Sequence, residues 1–177
     1  MENITNQSRR DFIKASAATG GALVVGFHLP GKVAQADAGG GYAMPNAWVK
    51  VGADNQVTIL VARSEMGQGV ATSMPMLVAE ELDVDINKVK VEFAPPAEVY
   101  INSLLGGQIT GGSTSVRDAW EKLRKAGASA RMLLVAAAAQ EWGVDASQVR
   151  AENGNLIGPG SKRMSYGMAA PKAAQME

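Results

Sequence analysis

The spacing of apolar residues changes along the chain, and each change marks an element. Ala47–Val51 and Val57–Ala62 are short apolar, β-branched runs on either side of Ala53-Asp54-Asn55-Gln56, which predicts two strands joined as a hairpin. The period then lengthens. Val70, Met74, Leu77, Val78 and Leu82 recur at helical spacing, and Pro75 is expected in the first turn of that helix, where a missing N–H costs little. Lys88 to Ala94 alternates between polar and apolar, predicting a half-buried strand that Pro95-Pro96 ends. From Val116 the pattern is helical again, through Trp120, Leu123, Ala126 or Gly127, Ala130, Leu133 and Leu134, to about Trp142, with Gly143 as the stop. The alanines around Ala128 and Ala136–Ala139 invite close packing. Val149–Ile157 reads as a hairpin about Asn153-Gly154, and Ser165 opens a last helix that contains Pro171. The order β-β-α-β-α-β-β-α predicts an α+β fold, a two-layer arrangement with helices on one face of a small mixed sheet.

Residues 1–38 do not fit that pattern. Ser8-Arg9-Arg10-Asp11-Phe12-Ile13-Lys14 is a twin-arginine motif. A weakly apolar run from Ala15 to Leu29 follows, too short and too rich in glycine to span a membrane. Ala34-Gln35-Ala36 and Ala36-Asp37-Ala38 both fit a small-x-small cleavage site. These features predict an export signal over 1–38, a periplasmic destination and a folded part over 39–177 that opens on a flexible Gly39-Gly40-Gly41-Tyr42 leader. The twin-arginine route carries folded proteins, often with a cofactor already inserted.

Composition narrows the chemistry. Formal net charge is zero, which offers nothing to a nucleic acid. There is no cysteine, so the chain itself holds no disulfide, thiolate zinc site or cysteine-ligated cluster. The single histidine, His28, lies inside the export segment. Without it no Ser-His-Asp or Cys-His mechanism can operate, and demanding chemistry has to come from a cofactor. Glu80, Glu81, Asp83 and Asp85 read as a solvated helix end, and methionines such as Met66, Met74 and Met76 as core filler. No catalytic residue and no metal ligand is assigned.

Two glycine-rich turns run into helices. Gly67-Gln68-Gly69-Val70-Ala71-Thr72 approaches a dinucleotide fingerprint, but Thr72 stands where the third glycine belongs. Gly107-Gln108-Ile109-Thr110-Gly111-Gly112-Ser113-Thr114 approaches a phosphate-binding loop, but Ser113 replaces the lysine that reaches terminal phosphates. A nucleoside triphosphatase or nicotinamide enzyme is therefore disfavoured. Ser113, Thr114 and Ser115 are suited to cap the following helix. Free N–H groups at a helix start suit an anion, though an ordinary capped helix after a loop reads the same way.

Taken together, the twin-arginine motif, Glu65-Met66-Gly67-Gln68-Gly69, Gly107 to Trp120, and Gly154 through Ser165-Tyr166-Gly167 resemble the N-terminal part of the molybdenum-binding large subunit of the xanthine oxidase family, of the isoquinoline 1-oxidoreductase and periplasmic aldehyde dehydrogenase type. The resemblance covers about residues 8–175. It implies that 39–177 belongs to a larger molybdopterin-binding domain. It implies that Gly67, Gln68, Gly69, Gly111, Gly112, Ser113, Thr114 and Ser115 wrap the pterin and pyrophosphate of molybdopterin cytosine dinucleotide, with Gln68 and Gln108 at the pterin edge and Ser113, Thr114 and Ser115 on the phosphate oxygens. Arg117 is a possible charge partner. The implied reaction is oxidative hydroxylation of an N-heterocycle or aldehyde with water as the oxygen source. The implied partners are the remainder of the large subunit or a partner chain, a small iron–sulfur subunit and a cytochrome c. The family's large subunits are several times longer, and their catalytic glutamate and other cofactor loops match nothing before Glu177, so a fragment is expected. The alternative is a non-catalytic exported α+β module that binds a partner chain or a small anion.

Overall fold

A computed structural model describes residues 23–26 and 47–176. The twin-arginine motif, the cleavage sites, His28 and the glycine leader lie outside the described residues. Strands β1 (Leu23–Gly26), β2 (Ala47–Val51) and β3 (Val57–Val61) form an antiparallel meander, and β4 (Lys90–Phe93) adds parallel to β3. The sheet order is β1-β2-β3-β4. Helix α1 (Val70–Leu82) makes the crossover between β3 and β4. Helix α2 (Ser115–Trp142) lies against α1. A second, three-stranded antiparallel sheet follows, made of β5 (Arg150–Glu152), β6 (Asn155–Ile157) and β7 (Arg163–Ser165), and helix α3 (Tyr166–Ala173) returns to pack on α2. The architecture is α+β. Among the described residues no helix is long and apolar enough to cross a membrane.

The core forms where the apolar stripes meet. Val49, Val51, Ile59 and Val61 from the sheet are buried with Val70, Met74, Val78 and Leu82 from α1 and Leu123, Ala126, Ala130 and Leu134 from α2. Gly127 sets the spacing of the two helices. A Cβ there would lie 2.5 Å from the Val78 carbonyl oxygen and 3.0 Å from Glu81 Cβ, so only glycine admits this approach. Tyr166 is fully buried, and its hydroxyl donates to the Leu82 carbonyl at 2.7 Å, tying α3 to the last turn of α1.

Several sequence expectations are corrected. Pro75 is the sixth residue of α1, not part of its first turn, because the helix already starts at Val70 behind Gly69 in a left-handed conformation (φ 81°). Trp120 is 50% exposed and stacks under the Arg124 guanidinium, 5.3 Å from the ring centroid; Ala119 takes the buried position. Of the methionines expected in the core, Met74 is buried while Met66 and Met76 are exposed. Val91 and Phe93 align with the buried Ile59 and Val61, yet Phe93 is 59% exposed, because the layer covering β3 stops short of β4. Strands β1 and β7 were not expected; β1 falls inside the segment read as an export signal.

Candidate functional site

Both glycine turns leave the same end of the molecule. The first, Arg63–Gly69, follows β3, and the second, Gly106–Thr114, leads into α2. They are joined directly: the Ser64 N–H donates to Thr110 Oγ1 at 2.8 Å. Beneath them is a buried charge cluster. Arg63 Nη2 donates to Asp118 Oδ2 at 2.8 Å, with side chains 1% and 3% exposed. Arg63 Nη1 donates to the carbonyls of Ala62 and Tyr100, and its Nε has no partner. Asp118 Oδ1 accepts from Lys122 Nζ and from the Ser103 N–H, each at 2.8 Å. Burial pushes the Asp118 carboxyl up, but Lys122 and the Ser103 N–H outweigh it and hold the group below its ordinary value. Burial lowers the Arg63 pKa against the pull of Asp118, and the guanidinium stays charged. The cluster therefore carries two positive charges and one negative.

Asn102 organises the approach to α2. It is fully buried; its N–H donates to the Gly107 carbonyl, its Oδ1 accepts from the Leu104 N–H, and its Nδ2 donates to Thr114 Oγ1 at 2.6 Å. The Thr114 hydroxyl in turn donates to the Gly111 carbonyl at 2.7 Å. Thr114 thus stands at the N-cap position of α2 with its hydroxyl engaged elsewhere, and no side chain caps the helix. This corrects the expectation that Ser113, Thr114 or Ser115 would cap it. The N–H groups of Ser115, Val116 and Arg117, the orphan donors of a first turn, have no partner among the described residues. Gly112 (φ 59°) and Ser113 (φ 52°) both take left-handed conformations just ahead of them, and a Cβ on Gly111 would meet nothing within 4 Å.

The amino-terminal end of α1 is different. The Glu65 carboxylate accepts from the N–H groups of Gly67 (2.8 Å), Gly69 (3.0 Å) and Ala71 (2.8 Å). Those bonds, that from Ala71 first, hold the exposed carboxyl below the ordinary range. Gln68 folds back, accepting from the Met66 N–H at 2.6 Å and donating to the Ser64 carbonyl at 2.9 Å. Gln108 Oε1 accepts from the Ala97 N–H at 3.2 Å and Nε2 donates to the Pro95 carbonyl, pinning the second loop to the Pro-Pro turn. The residues singled out in the sequence thus lie in two neighbouring loops with unequal helix ends: the first closed by Glu65, the second open.

The sequence profile of the molybdopterin cofactor-binding domain family matches residues 4–177. The chain belongs to that family. The domain is 42% identical over 126 residues to isoquinoline 1-oxidoreductase subunit beta of Brevundimonas diminuta, an alignment spanning 70% of this chain and 16% of that protein. It is 29% identical over 166 residues to a membrane-bound aldehyde dehydrogenase [pyrroloquinoline-quinone] of Gluconacetobacter polyoxogenes, spanning 90% of this chain and 20% of the relative. Its fold is similar to that of quinoline 2-oxidoreductase from Pseudomonas putida 86 (TM-score 0.53, 17% identity, 70% of this chain, 15% of the other). It is also similar to a Cu,Mo-CO dehydrogenase (TM-score 0.54, 16% identity, 94% of this chain, 22% of the other). The family resemblance read from the combined motifs of the sequence is thus borne out at the level of family and fold. The domain spans no more than 20% of the length of these two curated relatives.

Arg63, Glu65, Asn102, Thr110, Asp118 and Lys122 were not singled out as site residues. Two of them carried a readable signal: Asp118 lies in the first turn after a predicted helix start, and Lys122 is four residues further on, the spacing of a helical ion pair. Arg63 and Asn102 carried none, since their partners are distant in sequence or on backbone atoms.

Proposed function

We propose that this chain is the cofactor-binding segment of a molybdenum hydroxylase that oxidises an N-heterocycle or an aldehyde with water as the oxygen source. The group held is molybdopterin cytosine dinucleotide. The observation that carries the reading is the uncapped end of α2, with the N–H groups of Ser115, Val116 and Arg117 open behind Gly111-Gly112-Ser113. These residues fit a pyrophosphate. They offer backbone donors, the Ser113 and Ser115 hydroxyls, and the excess positive charge of Arg63, Asp118 and Lys122 below. Without a lysine at position 113 they do not fit the more highly charged end of a triphosphate.

In this reading Gly111, Gly112 and Ser113 let the phosphates approach the backbone, and the Asn102–Thr114 bond keeps the first turn of α2 uncapped. Gly67, Gln68 and Gly69 form the neighbouring wall, and Gln108 holds the second loop in place. The bound molybdenum centre supplies the two-electron redox chemistry. Iron–sulfur centres of a separate small subunit, with a cytochrome c as a further acceptor, would supply the outlet for electrons, since this chain has no cysteine to ligate a cluster. The residue acting as catalytic base belongs to the remainder of the large subunit or a partner chain. Loading before export fits the twin-arginine motif of residues 8–14 and a periplasmic enzyme.

A second reading, an exported module that binds a partner chain without turnover, draws on Met66, Leu104, Leu105 and Ile109, which stand exposed on the two loops and on the turn between them. Molybdenum and cytidine nucleotide content separates the two. The protein purified from its native host should carry both in equal amount with the large subunit. Absence of both would overturn the cofactor reading.

A further inference from the structure

The two helix ends beside the glycine turns are charged in opposite senses. At α1 the Glu65 carboxylate sits on the N–H groups of Gly67, Gly69 and Ala71. That is the position an external anion would occupy at an open helix end. The loop also satisfies itself elsewhere, since both polar ends of the Gln68 side chain are bonded within Ser64–Gln68. At α2 there is no capping side chain, and the Arg63 and Lys122 cations outnumber the Asp118 carboxylate beneath. Two adjacent helix starts, each preceded by a glycine-rich turn, are thus not equivalent as anion sites.

We infer that Glu65 is a built-in anion that closes the start of α1, so that the phosphates of the ligand are directed to the start of α2 alone. The inference rests on the cofactor reading for α2 and adds a specificity-determining residue to it. A phosphate brought to α1 meets a full unit of negative charge within contact distance and finds the Gly67, Gly69 and Ala71 donors taken, with only the Val70 N–H of the first turn left open among the described residues. The face that Gly67-Gln68-Gly69 turns to the ligand is consequently suited to the uncharged part of a dinucleotide and not to its pyrophosphate. The same three bonds hold the Ser64–Ala71 backbone in one shape before any ligand arrives, which reduces the ordering cost of binding.

The test is an amide NMR titration of the full chain with inorganic pyrophosphate, in wild type and Glu65→Gln. In wild type the amides of Ser115, Val116 and Arg117 should shift, while those of Gly67, Gly69 and Ala71 stay still. In Glu65→Gln the latter three should also shift, with pyrophosphate binding there on the order of tenfold tighter than in wild type once the opposing charge is gone. Movement of Gly67, Gly69 and Ala71 in wild type equal to that at α2, or no gain at α1 in the folded variant, would overturn the assignment. Should Glu65→Gln fail to fold, wild type alone decides. The three amides must follow one common pH transition below the usual carboxylate range, and its absence would refute the clamp. Silence at Ser115–Arg117 in both proteins would instead count against the phosphate reading at α2, with the role of Glu65 still decided by the first loop.

Discussion

Arg63 and Asp118, 55 residues apart in sequence, meet at 2.8 Å with both side chains almost completely buried. The pair joins the end of β3, where the first loop begins, to the first turn of α2, where the second loop ends. Removing one partner strands the other. Asp118→Ala should cost about 3 kcal/mol or more, because the Arg63 guanidinium loses its counter-charge in a water-excluded site. Replacing both residues by apolar ones should cost distinctly less than the sum of the single changes. Urea denaturation of the single variants and the double variant gives the comparison.

The same carboxylate imposes a pH dependence. The Asp118 pKa is held below its ordinary value of 3.8, so the folded state binds its proton less readily than the unfolded chain does. The stabilisation is fully present above the unfolded value and is lost as pH falls through the folded one. Glu92, beside Lys90 and Lys50, shifts in the same direction. Thermal midpoints should therefore be flat above about pH 5 and decline below about pH 4, and Asp118→Asn should decline less steeply from a lower plateau.

Gly127→Ala should destabilise the domain despite the better helix propensity of alanine. Propensity gains about 1 kcal/mol. The added Cβ, however, meets the Val78 carbonyl, Glu81 Cβ and the Leu82 backbone nitrogen of α1, and forcing two packed helices apart costs about 1–3 kcal/mol. Ala130→Gly, at a buried position on the same stripe, should lose stability through propensity and a small cavity without moving α1. A crystal structure or interhelical NOEs on Gly127→Ala would show the separation.

Ser113 is a non-glycine residue at φ 52°, next to the open donors of α2. The left-handed conformation costs a side-chain-bearing residue about 1 kcal/mol. Ser113→Gly should therefore raise the melting temperature slightly and, with the hydroxyl gone, weaken binding of inorganic pyrophosphate. Ser113→Ala should weaken binding without the stability gain. Differential scanning calorimetry paired with isothermal titration distinguishes a strained ligand-binding serine from a merely tolerated one.

Much of the fold was legible because it is local. The hairpin about Asn153-Gly154 needs positive φ at both central residues, which that dipeptide supplies (φ 45° and 75°), and Gly143 stops α2 for the same reason. Trp120 was misread as core because periodicity locates a stripe only to within about a residue, and the stripe centres on Ala119, Leu123 and Gly127. Pro75 was misplaced because nothing in the sequence around it shows that Glu65, six residues before Ala71, reaches forward to start the helix early.

The sequence by itself determined the order of the elements apart from β1 and β7, the α+β class, the two glycine turns and the family, since periodicity, turn chemistry and motif spacing are properties of neighbouring residues. Tertiary structure alone decided which polar groups are spent inside the protein and which remain for a ligand. Thr114 could cap α2, yet its hydroxyl goes to Asn102 and Gly111. The amides of Gly67, Gly69 and Ala71 could hold an anion, yet they hold Glu65. A hydrogen-bonding group takes the partner that the packed chain brings within reach, and that competition is settled by distances between residues far apart in sequence.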